Sequence, residues 1–236
     1  MERWFTMTHP QPETLVIRVD QARAVSGLLQ VPTDAVACLV LAHGAGAGMR
    51  HPFMAAVSAG LAARRIASLS YQFPYMEAGS RRPDSPRLAL ATVRAAIAHA
   101  AGIIPTLPLI AGGKSFGGRM TSQAQAATPL PGVRGLAFLG FPLHPAKKPS
   151  ATRAEHLLQI IVPMLFLQGD RDQLADPPLL HQLLETLGPR ATLSLFPDAD
   201  HSFHVPVRSG RTDEQVMDAM MDILAAWITK VVAPAA

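Results

Sequence analysis

One cysteine, Cys38, stands in the whole chain of 236 residues. No intrachain disulfide can form, so a small disulfide-stapled secreted scaffold is excluded. Charged residues are scarce at 16%, against 49% hydrophobic, and disorder requires the opposite balance. No apolar run approaches the ~18–20 residues of a membrane span. The formal net charge is only +4. The basic residues are scattered, with Arg64-Arg65, Arg81-Arg82 and Lys147-Lys148 as the densest pairs. Nucleic-acid binding calls for a clustered basic face and is not expected. Met1 to Glu13 carries acids and prolines and lacks the apolar stretch of a signal peptide, so a cytoplasmic location is the default expectation.

What remains is a chain sized for one compact core. Residues 1–13 read as a mobile tail and 14–236 as a single domain. Leu15–Val19 and Ala24–Val31 read as a pair of strands. Ala35–Ala42 is a continuous apolar run, the pattern of a strand buried on both faces; Cys38 falls inside it and reads as a small hydrophobe. Further strands are expected at Ile66–Tyr71, Leu107–Ala111, Val133–Phe141, Met164–Leu167 and Thr192–Phe196. Helices are expected at His51–Arg65, Pro86–Ala101, Phe116–Ala127 and Pro177–Leu187, and Gln72–Arg87 reads as an irregular loop. Thr212 and Gln215 have capping-box spacing, and Val216, Met220, Ile223, Leu224 and Trp227 then share one helical face, widened by Met217 and Met221. Alternating strands and helices imply right-handed crossovers and a mostly parallel sheet, with ligands at the carboxyl ends of its strands.

Chemistry is therefore sought just after each strand. Leu107–Ala111 leads into Gly113-Lys114-Ser115-Phe116-Gly117, a G-x-S-x-G pattern, and a helix follows. Chance supplies roughly 0.06 such matches at this glycine and serine content. A serine on a sharp strand-to-helix turn is strained, and side chains two positions to either side would collide with neighbouring backbone. The helix N-terminus also favours developing negative charge there. A phosphate-binding loop would need a glycine where Pro108 stands, so that rival fails.

A serine hydroxyl needs a base, and histidine titrates in the useful range. Of nine histidines, His9 is in the tail, His99, His156 and His181 lie on helices, His51 opens a helix, and His144 sits in a proline-rich loop. His43 follows the Ala42 strand end, and His201 and His204 follow the strand ending near Phe196. Two acids, Asp170 and Asp172, follow Met164–Leu167 and can orient the base. The chain order is serine, acid, histidine, with each partner still a choice of two. His201 and His204 lack a third ligand at matching spacing, so no metal is expected.

These residues resemble the α/β-hydrolase superfamily, in its compact dienelactone-hydrolase-like branch of small predicted hydrolases. The resemblance spans about residues 36–230. It rests on Leu41-Ala42-His43-Gly44-Ala45-Gly46-Ala47, Phe73-Pro74-Tyr75, Gly113 to Arg119, Phe141-Pro142-Leu143-His144-Pro145, Gln168-Gly169-Asp170-Arg171-Asp172 and Asp200-His201-Ser202-Phe203. It implies a three-layer α/β/α domain with a twisted sheet of about seven or eight strands. It further implies Asp172 as the acid, His201 as the base, and an oxyanion hole from the backbone N–H groups of Ala45 and Phe116. His43 then serves its turn structurally.

The expected activity is serine hydrolysis of a small ester or thioester with no cofactor. An idle interaction scaffold on the same fold is the alternative, since some relatives act as scaffolds. About 21 residues separate Phe141 from Met164, too few for a helical lid domain. Lys114, Tyr75 and Arg81 are candidates for binding the substrate, particularly an acidic one.

Overall fold

A computed structural model describes residues 11–234. Eight strands form one sheet in the order β1-β2-β4-β3-β5-β6-β7-β8. They are β1 (Glu13–Arg18), β2 (Ala24–Gln30), β3 (Ala37–Ala42), β4 (Ile66–Tyr71), β5 (Leu109–Lys114), β6 (Val133–Leu139), β7 (Met164–Gly169) and β8 (Ala191–Phe196). Strand β2 runs antiparallel to both of its neighbours. From β4 onward every pair is parallel. The expected mobile tail lies outside the described residues over 1–10, while Glu13, its last residue, opens β1.

The helices are α1 (Pro52–Ala62), α2 (Pro74–Glu77), α3 (Pro86–Ile103), α4 (Phe116–Ala127), α5 (Pro177–Leu187) and α6 (Asp213–Val232). Every residue of β3 and of β4 is buried. The two-residue period of a strand then divides β3 between two cores. Cys38, Val40 and Ala42 face the layer of α3, α4 and α5, where Val93, Ile97, Met120 and Leu180 pack. Ala37, Leu39 and Leu41 face α1 and α6, where Met54, Leu61, Met220 and Leu224 pack. Burial pushes the Cys38 thiol up to about 12, so it behaves as a hydrophobe. Among the described residues, no helix is long and apolar enough to cross a membrane.

Helix α6 starts with both halves of the capping box, Thr212 Oγ1 accepting from the Gln215 N–H and Gln215 Oε1 from the Thr212 N–H. Its buried face is Val216, Met220, Met221, Leu224, Trp227 and Ile228, with Ile223 at the margin.

Two local expectations need correction. Strand β5 continues to Lys114 rather than stopping at Ala111, because Gly112 and Gly113 remain paired with β3 and β6. The stretch 72–87 is not wholly irregular. It holds the single turn α2, and Glu77 ties that turn to β2 by accepting from the Ser26 N–H and Oγ. The connection from β6 to β7 contains a 3-10 helix at Thr152–Gln159, which is no lid.

The α6 packing yields a direct check. Leu224→Ala removes a fully buried side chain and should lower unfolding free energy by about 2–5 kcal/mol. Denaturant titration measures this, and an unchanged midpoint would mean that α6 does not close the core.

Candidate active site

Strand β5 delivers Ser115 to a turn that forces its backbone to φ 50° and ψ −112°. Such a conformation costs a non-glycine residue about 1–3 kcal/mol and persists only where neighbours enforce it. The neighbours here are backbone. A Cβ on Gly113 would lie 2.4 Å from the Ala42 carbonyl oxygen, and one on Gly117 would lie 2.5 Å from the same atom. Glycine alone lets β5 and the start of α4 press this closely on β3. The turn aims the serine off the sheet edge, at the N-terminus of α4.

His201 arrives on the loop after β8, and its Nε2 lies 2.8 Å from Ser115 Oγ. Its Nδ1 lies 2.6 Å from Oδ2 of Asp172, whose side chain is fully buried. Asp172 is held in turn. Its Oδ1 accepts from the Leu174 N–H at 2.8 Å, and its Oδ2 accepts from Gln168 Nε2. Gln168 is itself buried, and its Oε1 accepts from the Phe141 N–H at 2.9 Å. The competing partners go elsewhere. Asp170 is exposed, and His204 pairs with Asp213 at 2.8 Å, away from the serine.

An Asp172–His201–Ser115 relay thus assembles from the ends of β7, β8 and β5. The serine proton has an acceptor in Nε2, and the Nδ1–H has a buried carboxylate to hold it in place. Gly44 and Ala45 lie beside Ser115 in the lining of one cavity of about 440 Å³. Neither the Ala45 N–H nor the Phe116 N–H donates to a described residue.

The other cavity walls are largely apolar: Ala47, Phe53, Met54 and Leu174, with His51 and Ser202 at its edge. Of the three residues expected to contact substrate, only Lys114 lines this space. Tyr75 packs behind it in an aromatic cluster with His43, Phe73 and Phe116. Its phenol oxygen accepts from the Gly46 N–H at 3.3 Å, so it braces the turn that carries Ala45. Arg81 is exposed on the surface loop and does not line the cavity.

Sequence reasoning missed Gln168, Phe53, Met54 and Leu174. The signal for Gln168 was a polar residue ending an otherwise apolar strand. The cavity-wall residues carry no mark that separates them from core.

His43 is fully buried, and its ring joins two segments. Nδ1 donates to the Gly44 carbonyl at 2.8 Å and Nε2 accepts from the Phe73 N–H at 3.0 Å. This arrangement requires a neutral ring, and burial lowers its pKa to about 4. An unfolded histidine titrates near 6.5. Between these values the unfolded chain binds a proton that the folded protein excludes, so stability falls as pH drops from about 6.5 to about 4. Carboxylates act in the same direction, so the test is comparative. Denaturant unfolding of His43→Gln should show a shallower loss over this range than wild type; equal slopes would contradict the neutral-ring assignment.

A family profile described as an alpha/beta hydrolase domain matches residues 35–229. Solved structures share the architecture. A dienelactone hydrolase from Anabaena variabilis aligns with a TM-score of 0.73 at 20% identity, covering 94% of this chain and 99% of its own. A lidless α/β serine hydrolase from Xanthomonas campestris gives 0.71 at 20% identity, covering all of both chains. An esterase domain from Rhodothermus marinus gives 0.72 at 16% identity over 94% of this chain and 99% of that one. At such identities the likeness establishes the fold. The profile match over most of the chain goes further: this protein belongs to the alpha/beta hydrolase domain family.

Proposed function

We propose that the protein is a serine hydrolase that cleaves an ester or thioester of a small acyl substrate through an acyl-enzyme. The observation that carries this reading is the unbroken chain of contacts from Ser115 to His201 to Asp172, at 2.8 and 2.6 Å. The strained serine backbone supports it as well, because strain of this kind tends to be retained at functional sites.

In the proposed reaction Ser115 Oγ attacks the carbonyl carbon while its proton passes to His201 Nε2. Asp172 accepts the Nδ1–H bond and stabilises the imidazolium. The carbonyl oxygen becomes an oxyanion held by the Ala45 and Phe116 N–H groups. Each such donor is worth about 3 kcal/mol of barrier. His201 then protonates the departing alcohol or thiol, leaving the acyl group on Ser115. Water repeats the sequence: His201 takes its proton, the acid is released, and Ser115 recovers its hydrogen. The apolar walls formed by Ala47, Phe53, Met54 and Leu174 suit a small apolar acyl group.

A panel of short acyl esters and thioesters tests this reading. Ser115→Ala should lower kcat at least about 10⁴-fold, as removal of a triad member does elsewhere. Circular dichroism should show an intact fold. Equal turnover by wild type and Ser115→Ala, or no turnover by wild type on any member of the panel, would overturn the proposal.

A further inference from the structure

Lys114 ends β5 directly before the nucleophile, and its side chain, only partly exposed, turns inward. It extends to the loop after β8, where Nζ donates to the backbone carbonyl of His201. The ammonium sits 5.7 Å from the centroid of the Phe53 ring and 5.3 Å from that of Phe203. These two rings stack on one another at 6.0 Å. The space it occupies is kept open by Gly140, which has φ +72°; a Cβ there would fall 2.9 Å from Nζ. Four segments therefore meet around one cation: the end of β5, the start of α1, the turn after β6, and the loop carrying His201.

A buried ammonium is costly unless it is paired. Burial pulls this one down to about 8, while Asp172 and Asp200 pull the other way. The remaining hydrogen bonds of the His201 loop explain why the lysine matters. Asp200 Oδ1 accepts from the N–H groups of Ser202 and His204, and the Asp200 N–H donates to the His204 carbonyl. Those bonds shape the loop internally. The Arg171 N–H donates to the Ala199 carbonyl, which ties the loop to the end of β7. Among the described residues, the Lys114 bond is the one that ties the His201 backbone to β5, the strand that carries the nucleophile. The covalent neighbour of Ser115 thus sets where the base's main chain stands relative to the serine.

We propose that Lys114 is a positioning residue of the relay, and that its role is to hold the His201 main chain in register with Ser115 rather than to bind substrate. This inference rests on the hydrolase reading above and adds a residue to it. A misplacement of about 1 Å at a catalytic group can cost ~10²-fold in rate. Loss of the tie should therefore appear in kcat and leave ground-state binding of a neutral ester unchanged.

The test is Lys114→Met, which keeps the apolar stem and removes the donor and the charge. With a neutral short-chain ester, kcat should fall ~10- to 100-fold with KM within about twofold of wild type. A proton NMR spectrum gives a second readout that does not depend on turnover. The downfield Nδ1–H resonance of His201, held by Asp172, should be sharp in wild type and in Ser115→Ala, and broadened or lost in Lys114→Met. Unchanged kcat together with an unchanged resonance would overturn the proposal. A rise in KM at constant kcat would also overturn it and make Lys114 a substrate contact. If Lys114→Met fails to fold, Lys114→Leu, which also lacks a donor, provides the same two readouts. Failure of the hydrolase reading would show separately, as wild type without turnover, and the resonance comparison would still decide the role of Lys114.

Discussion

A hydrogen bond of 2.8 Å between Ser115 and His201 joins residues 86 positions apart, and the rest of the site serves to fix its two ends. At one end, backbone pressed against backbone leaves no room for a side chain at Gly113 or Gly117, and the serine is driven into a conformation it would otherwise avoid. At the other end, a buried carboxylate holds the imidazole, and a buried amide holds the carboxylate. The parallel sheet makes such convergence possible. Adjacent strands pointing the same way deliver β5, β7 and β8 to one edge, and the loops that follow need only short reaches to meet.

The polar groups around this edge form a continuous path. The Phe141 N–H bonds Gln168, Gln168 bonds Asp172, Asp172 bonds His201, and His201 bonds Ser115. Each buried polar atom along it is paired, and pairing of this kind keeps such a network rigid rather than merely costly. Histidine serves three further times as a bridge between backbone segments or to a hydroxyl. His43 joins the turn after β3 to the end of β4, and His144 accepts from the Asp176 N–H at 2.8 Å. His156 meets Ser122 at 2.7 Å, with its pKa lowered to about 4 by burial and by the nearby Arg119. That second serine–histidine pair joins α4 to the 3-10 helix Thr152–Gln159, and among the described residues no carboxylate bonds its ring, so contact between the two residue types does not by itself make a nucleophile.

Much of the architecture was legible in the chain. Ile66–Tyr71, Phe116–Ala127 and Pro177–Leu187 begin and end where apolar periodicity, proline and glycine mark them. The capping box of α6 was readable because its two side chains act within one turn. Ser115 and Asp172 follow strands that end in glycine-marked turns, and His201 follows β8 without one; spacing alone left Asp170 beside Asp172 and His204 beside His201. Those choices depend on which side chain turns inward at a loop, a tertiary property that no local pattern encodes. Tyr75 and Arg81 stand outside the cavity lining for the same reason. Both lie between β4 and α3, where Glu77 and Asp84 bind the segment back onto β2 and onto its own backbone and leave Tyr75 behind the turn that carries Ala45. Gln168 carried only the mark of a polar residue near the end of an apolar strand, because one of its two partners, the Phe141 N–H, comes from a segment 27 residues away.

The central claim is that the assembled geometry makes one serine nucleophilic. Mass spectrometry after treatment with a fluorophosphonate tests this most directly, since a phosphonyl group is retained only by a serine whose proton is accepted by a base. A single adduct mapped to Ser115 in wild type, and absent in His201→Ala, is the predicted result. No adduct in wild type, or an adduct at Ser115 that persists unchanged without His201, would contradict it.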